Sequence, residues 1–117
     1  MVKNGLTIYF RPETADVDVI KESFENELFL KGTPEYKLNS DHVIIDVGAH
    51  IGCFSLFVSP ALPDGKIYAL EPAGETYRVL ERNLQVNGLT NVKPYNLAMA
   101  QKTGNAILYH DIQTGNW

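Results

Sequence analysis

The chain is nearly free of cysteine, poor in basic residues and without a long apolar run. Cys53 is the one cysteine in 117 residues. No internal disulfide can form, and a reducing compartment fits. No apolar stretch approaches the roughly 20 residues that span a bilayer, so no membrane partner is expected. Met1-Val2-Lys3-Asn4-Gly5 lacks the apolar core of a secretory leader. A soluble, cytoplasmic protein is the expectation. Ten Lys and Arg against 14 Asp and Glu give a formal net charge of −4. That balance argues against affinity built on phosphate contacts, and no nucleic-acid partner is expected. His42 and His110 stand apart with no metal-ligand spacing, and no metal is expected. Repeats and low-complexity segments are absent. What is present is an ordinary globular composition, 44% hydrophobic, in a length suited to one small core.

The pattern is organised around residues 42–52, His-Val-Ile-Ile-Asp-Val-Gly-Ala-His-Ile-Gly. Val43, Ile44 and Ile45 form a short β-branched run that reads as a strand buried on both faces. Asp46 follows, then a turn containing Gly48 and Gly52. Cys53 to Val58 starts a helix bounded by Pro60. Strand, glycine turn and helix form the first half of a nucleotide-binding βαβ unit. The glycines let a ligand approach the backbone, and a helix N-terminus offers free N–H groups to an anion.

The remaining segments read as an α/β chain. Leu6 to Phe10 is expected as a short strand ended by Arg11-Pro12. Thr14 to Leu28 is expected as a helix covering one end of the sheet, with Val17, Ile20, Phe24 and Leu28 as its apolar stripe. Asp16 and Asp18 fall in its first turn, where the dipole favours acids. Gly32-Thr33-Pro34 is a loop. Lys66 to Leu70 is the second strand, closed by Glu71-Pro72. Ala73 to Asn87 is the next helix, stopped at Asn87-Gly88, with Tyr77, Leu80 and Leu84 inward. Val79 and Val86 fall off that stripe, and Asn83 and Asn87 read as helix-end polar residues. The third strand lies within Asn91 to Ala98, and Pro94 places it at an edge. Ala106 to Tyr109 is expected as a hairpin arm, followed by a polar tail. The division is residues 1–40, an N-terminal strand and covering helix, and residues 41–117, a nucleotide-binding half-domain.

Glu71 is the second strong signal. It stands 19 residues after Gly52 at the end of the second strand, where an acid accepts hydrogen bonds from both ribose hydroxyls. Two carboxylate oxygens match a vicinal diol. A solvated acid at a strand end is the plain reading of Glu71 taken alone, and Gly48 and Gly52 taken alone are ordinary turn glycines. Asp46, the turn and Glu71 together favour a ligand.

The spacing Gly48-Ala49-His50-Ile51-Gly52 is G-x-x-x-G, not the G-x-G-x-x-G of a dinucleotide fold. With Asp46 it is the D-x-G-x-x-x-G form of the first motif of class I S-adenosylmethionine (SAM) methyltransferases. The string Asp46-Val47-Gly48-Ala49-His50-Ile51-Gly52 closely resembles the FkbM family, which usually has Asn or His at the fifth position. Many class I enzymes carry a third glycine where this chain has His50. Ile67-Tyr68-Ala69-Leu70-Glu71-Pro72 is similar to the family's corresponding stretch.

The resemblance runs from about Leu6 to Tyr109. It implies a Rossmann-like class I methyltransferase sheet, strand order 3-2-1, truncated to its N-terminal half. The implied cofactor is SAM. Its amino group would be favoured by Asp46, and its carboxylate by loop and helix N–H groups. Ala49 and His50 would contribute mostly backbone, and Ile51 would pack under the loop. Pro72 and Ala73, then Asn96, Leu97 and Ala98, would form the adenine slot, with strand-end packing the plain alternative for the second group. His50 could also serve as a base beside the cofactor, while Cys53 reads as a small buried helix residue.

The implied reaction is methyl transfer to an oxygen of a small molecule or sugar. An NAD-type oxidoreductase domain and a non-catalytic SAM-binding module are the alternatives. After Tyr109 only eight residues remain. Nothing matches the family's acidic motif after a fourth strand, so no turnover by this chain alone and self-association through an open sheet edge are expected.

Overall fold

The computed structural model describes residues 1–25 and 37–109. Its elements are β1 (Val2–Lys3), β2 (Leu6–Thr7), α1 (Asp16–Glu25), β3 (Val43–Val47), α2 (Cys53–Val58), a 3₁₀ turn (Ser59–Ala61), β4 (Lys66–Leu70), α3 (Gly74–Val86) and β5 (Val92–Tyr95). The strands β3, β4 and β5 form one parallel sheet in the order β3-β4-β5. That is the expected 3-2-1 order, with Pro94 on the edge strand, opposite Ala69. Parallel neighbours need crossovers, which α2 and α3 supply.

The register divides the sheet into two faces. Ile44, Ile67 and Val92 are matched across the strands, as are Asp46, Ala69 and Pro94. The helices cover this face: Ile67, Ala69 and Val92 share a core with Val58, Leu62, Leu80 and Leu84. The opposite face carries Val43, Ile45 and Val47, which are 68%, 59% and 58% exposed. The expectation that Val43 to Ile45 is buried on both faces is therefore corrected. Both crossover helices pack on one side, and among the described residues nothing covers the other.

The end of α3 follows the sequence closely. Gly88 takes a left-handed φ of 63°. Its N–H bonds Gln85 O at 3.1 Å, and Leu89 N–H bonds Leu84 O at 3.1 Å. These two bonds cap the last carbonyls of the helix.

The N-terminal segment differs from expectation in form. Leu6 to Phe10 is not one strand; only Leu6–Thr7 is, paired with Val2–Lys3. The turn is Asn4-Gly5, with φ of 52° and 79°, and Asn-Gly favours a two-residue hairpin. The pair Met1 and Ile8 extends the hairpin through Ile8 N–H to Met1 O and Met1 N to Ile8 O. Tyr9 bonds to the α3 side chain of Asn83 instead of to a strand. α1 starts at Asp16, two residues later than expected. The expected stripe residue Leu28, the loop Gly32-Thr33-Pro34 and the tail from His110 lie outside the described residues.

Ile20 and Phe24 of α1 are buried with Ile8, Ile51, Cys53 and Leu56 in a second apolar cluster. Phe24 meets Phe57 edge-on at 6.1 Å. Val79, unexplained by the inner stripe of α3, packs against this cluster, while Val86 is exposed. The first 25 residues therefore share a core with the βαβ unit. The expected hairpin arm at Ala106 to Tyr109 is not a strand; Ile107 and Tyr109 are 79% and 80% exposed. An isolated arm without a paired partner has no ladder to hold it.

Candidate functional site

The turn after β3 is set by backbone bonding. Gly48 N–H and Ala49 N–H both donate to Leu70 O at 2.9 Å, which bends the chain off the end of the sheet. Three residues then take left-handed backbone: Gly48 at φ 78°, His50 at 53° and Gly52 at 92°. His50 occupies the conformation that glycine adopts without cost, and histidine is among the side chains that tolerate it best. The two glycines have different surroundings. A Cβ on Gly48 would meet nothing within 4 Å, whereas one on Gly52 would lie 2.7 Å from Leu80 Cδ1. Gly48 borders open space, and Gly52 lets α2 close onto α3. Ile51, fully buried, packs beneath the turn.

Glu71 lies just beyond β4 and is 6% exposed. Its Oε2 accepts from His50 N–H and its Oε1 from Ala73 N–H, both at 2.9 Å. Each oxygen is thus fixed by one backbone donor and keeps further acceptor capacity. The carboxylate joins the two turns that follow β3 and β4.

Asp46 is the last inward residue of β3. Its Oδ2 is buried without a hydrogen-bond partner, as is the Ser55 hydroxyl. Burial, then the nearby Glu71 charge, push the Asp46 carboxyl up to about 6, against a smaller opposing pull from Ser55. Two carboxyl groups near one turn, one with an unsatisfied oxygen, make a place that favours a cationic donor.

The residues beyond the motif form a second set of supports. Asp16 is fully buried and takes a two-pronged pair from Arg11, with Nη2 to Oδ1 at 2.7 Å and Nε to Oδ2 at 3.0 Å. Arg11 also donates through Nη1 to Thr76 Oγ1 at 2.9 Å. Desolvation opposes the Asp16 charge, but the Arg11 bonds outweigh it and hold the carboxyl below its usual range. His50 Nε2 lies 3.4 Å from Asp16 Oδ1. Burial pulls the His50 pKa down, favouring the neutral ring, while its Nδ1 is buried without a partner.

Asn83, fully buried, clamps the N-terminal segment and the turn together. Its Oδ1 accepts from Tyr9 N–H at 2.7 Å, and its Nδ2 donates to Tyr9 O at 3.0 Å and Ile51 O at 2.8 Å. Asn87, one helical turn on, binds Thr7 N–H and O in the same way. Two amides at i and i+4 on α3 thus imitate a neighbouring strand for alternate residues of the chain. Reading Asn83 and Asn87 as helix-end polar residues missed this. The i, i+4 spacing of two amides opposite an alternating segment was the available signal. The inward position of Asp16, four residues before Ile20 on the same helix face, was another.

The second group expected around an adenine is brought to the same end of the sheet. Asn96 Nδ2 donates to Glu71 O at 2.8 Å and Pro72 O at 2.9 Å, tying the end of β5 to the turn after β4. Leu97 and Ala98 are exposed beside it, Pro72 is half-buried and Ala73 is buried. Cys53 is buried, and burial raises its thiol to about 12, which leaves it protonated and inert. Among the described residues no group of three or more His, Cys, Asp or Glu could hold a metal, and no helix is long and apolar enough to cross a membrane.

A parallel β3-β4-β5 sheet, a left-handed glycine turn after the first strand and a buried acid after the second define a Rossmann-like α/β fold, the fold of solved methyltransferases. Solved structures agree. The chain matches the TYW2 protein of M. jannaschii, solved with AdoMet, at TM-score 0.54 and 22% identity, over 82% of this chain and 41% of that one. It matches precorrin-6y C5,15-methyltransferase of Geobacter metallireducens at TM-score 0.55 and 20% identity, over 81% and 45%.

No family model matches the chain. Among curated proteins it is similar to Methyltransferase sdnD of Sordaria araneosa, 43% identical over 68 residues, 57% of this chain and 26% of that protein. It is also similar to Methyltransferase 1 of Beauveria bassiana, 27% identical over 77 residues, 65% and 31% of the two chains. The chain therefore spans about a quarter to a third of the length of these relatives.

Proposed function

We propose that this chain is the cofactor-binding portion of a SAM-dependent methyltransferase of the FkbM type, acting on an oxygen of a small molecule or sugar. The observation that carries the reading is the Glu71 carboxylate, held by one N–H from each adjoining turn with acceptor capacity left for a ribose diol. The residues present fit the cofactor. Asp46 offers a buried, partnerless oxygen to a cationic amino group. Gly48 leaves room against the backbone. Ala49, His50, Ile51 and Gly52 shape the turn. Pro72, Asn96, Leu97 and Ala98 would border the adenine. When bound, SAM would supply an activated methyl group; this chain's part is to bind and orient it. Relatives named as methyltransferases, over a shared segment that includes a 43% identical one, support the same reading.

Calorimetric titration with S-adenosylhomocysteine, with NAD as the control, tests it. Saturable binding of the first and none of the second is the expected result. Saturable NAD binding without response to S-adenosylhomocysteine would establish a dinucleotide domain instead. We further propose that the isolated 117-residue chain pairs with a second copy along the open edge of β3 and over the adjoining bare face, where Val43, Ile45 and Val47 lie exposed. A concentration-independent monomer in sedimentation would refute that.

A further inference from the structure

We propose that Asp16, outside the nucleotide-binding motif, is a positioning residue for the ligand-binding turn: it acts through the His50 ring to keep the His50 N–H on Glu71. This rests on the proposed function above. His50 is the one residue of the turn that takes left-handed backbone with a side chain attached. That conformation carries a cost for any residue but glycine, so something must hold it. Two contacts do. Its N–H donates to Glu71 Oε2 at 2.9 Å, and its Nε2 lies 3.4 Å from Asp16 Oδ1.

Asp16 is suited to the task because it cannot move freely. Both of its oxygens are engaged by Arg11, and Arg11 N–H adds a third bond to Oδ2 at 2.8 Å. The same guanidinium reaches Thr76, five residues beyond Glu71, so the clasp joins the start of α1, the start of α3 and the turn after β3. Two of these segments hold the Glu71 carboxylate directly, the turn after β3 through His50 N–H and the entry to α3 through Ala73 N–H. A buried ion pair is a weak source of net stability, since desolvation offsets most of its attraction. A clasp that fixes a strained turn has a different use: it orders the donor that orients the ribose acid before the ligand arrives.

The test is a thermodynamic cycle read as affinity for S-adenosylhomocysteine. The variants are Asp16→Asn, His50→Gly and the two combined. Glycine adopts the backbone of His50 without strain, so His50→Gly removes the ring and spares the turn. Asp16→Asn is expected to weaken binding about tenfold in the parent and less than about twofold in the His50→Gly background. Equal weakening in both backgrounds, or none in the parent, would overturn the proposal, because Asp16 would then not act through the ring. Asp16→Asn leaves the Arg11 charge without its partner. If that variant does not fold, Arg11→Gln with Asp16→Asn removes both charges and enters the same cycle with the same expected result. A parent that binds no S-adenosylhomocysteine fails the proposed function itself. A parent that binds but shows no coupling fails only the role of Asp16.

Discussion

The two apolar clusters of this molecule are built on different plans. The first joins the sheet to α2 and α3, and its buried members lie between Ala49 and Val92 in a single βαβαβ run. The second brings Ile8, Ile20 and Phe24 of the N-terminal segment against Ile51, Cys53 and Leu56. The first cluster makes the sheet end at which Asp46 and Glu71 meet. The second backs the turn between them through Ile51 and is edged by polar clamps, Arg11–Asp16 and Asn83–Tyr9. The difference teaches that one half of the packing creates the site and the other fixes its backbone. Damage to the first should appear as lost fold, and damage to the second as a loosened turn.

Gly52 gives the largest expected effect and tests the first half of that contrast. Valine there would combine left-handed strain with overlap on Leu80, and Gly52→Val should cost about 3–5 kcal/mol of stability. Gly48→Val is its control. Open space surrounds Gly48, so only backbone strain is added, roughly 1–2 kcal/mol, while cofactor binding is lost. Urea melts beside calorimetry separate the two. Equal stability losses would mean that the two ends of the turn are not distinct. Asn83→Ala comes next and breaks the clamp between the halves. It strands Tyr9 N–H, Tyr9 O and Ile51 O, and should cost about 2–4 kcal/mol. Hydrogen exchange should then accelerate in residues 6–10 and 48–52 more than in β4. Uniform acceleration would show the clusters to be one cooperative unit.

The same contrast explains what the sequence made legible. The strands around Ile44, Ile67 and Val92, the turn glycines, Glu71 and the Gly88 stop are all local patterns, and local patterns survive in a single chain read end to end. The placement of the N-terminal segment is not local. Asn83 meets Tyr9 across 74 residues, and Arg11 meets Thr76 across 65. An amide or an acid on a helix shows no partner in the sequence, so Asn83 and Asn87 read as helix-end polar residues and Asp16 as a first-turn acid placed by the dipole. The bare face of β3 failed for a related reason. A run such as Val43-Ile44-Ile45 states that both faces are apolar, not that both are covered. The Asn4-Gly5 hairpin was readable and lay in plain view of the rule for two-residue turns.

Glu71 is where the halves converge, since its two donors come from separate turns. Glu71→Ala should weaken S-adenosylhomocysteine binding by about 1.5–3 kcal/mol, the range for hydrogen bonds to a charged group. Calorimetry giving parent-like affinity for a folded Glu71→Ala protein would remove this residue from the site.

Asp46 gives the smallest effect and the one whose sign is most informative. Its carboxyl titrates at about 6 in the folded protein against an ordinary 3.8. The folded state therefore holds the proton more tightly than the unfolded state does. The resulting penalty is absent below about pH 4, grows as the unfolded form ionises, and is complete above the folded value near 6. Asp46→Asn should remove it, stabilising the ligand-free protein by roughly 1–2 kcal/mol at pH 7.5 once partial exposure is allowed for, and by nothing near pH 3.5. Binding should move the other way. The parent's affinity for a cationic ligand should fall as Asp46 protonates below about pH 6, and the Asn variant should bind more weakly with no such dependence. A variant that is stabilised at neutral pH and impaired in binding identifies an acid kept for its ligand at the expense of the fold. A destabilised variant at pH 7.5 would mean instead that the Asp46 charge is already satisfied within the fold, and its place in the site would be lost.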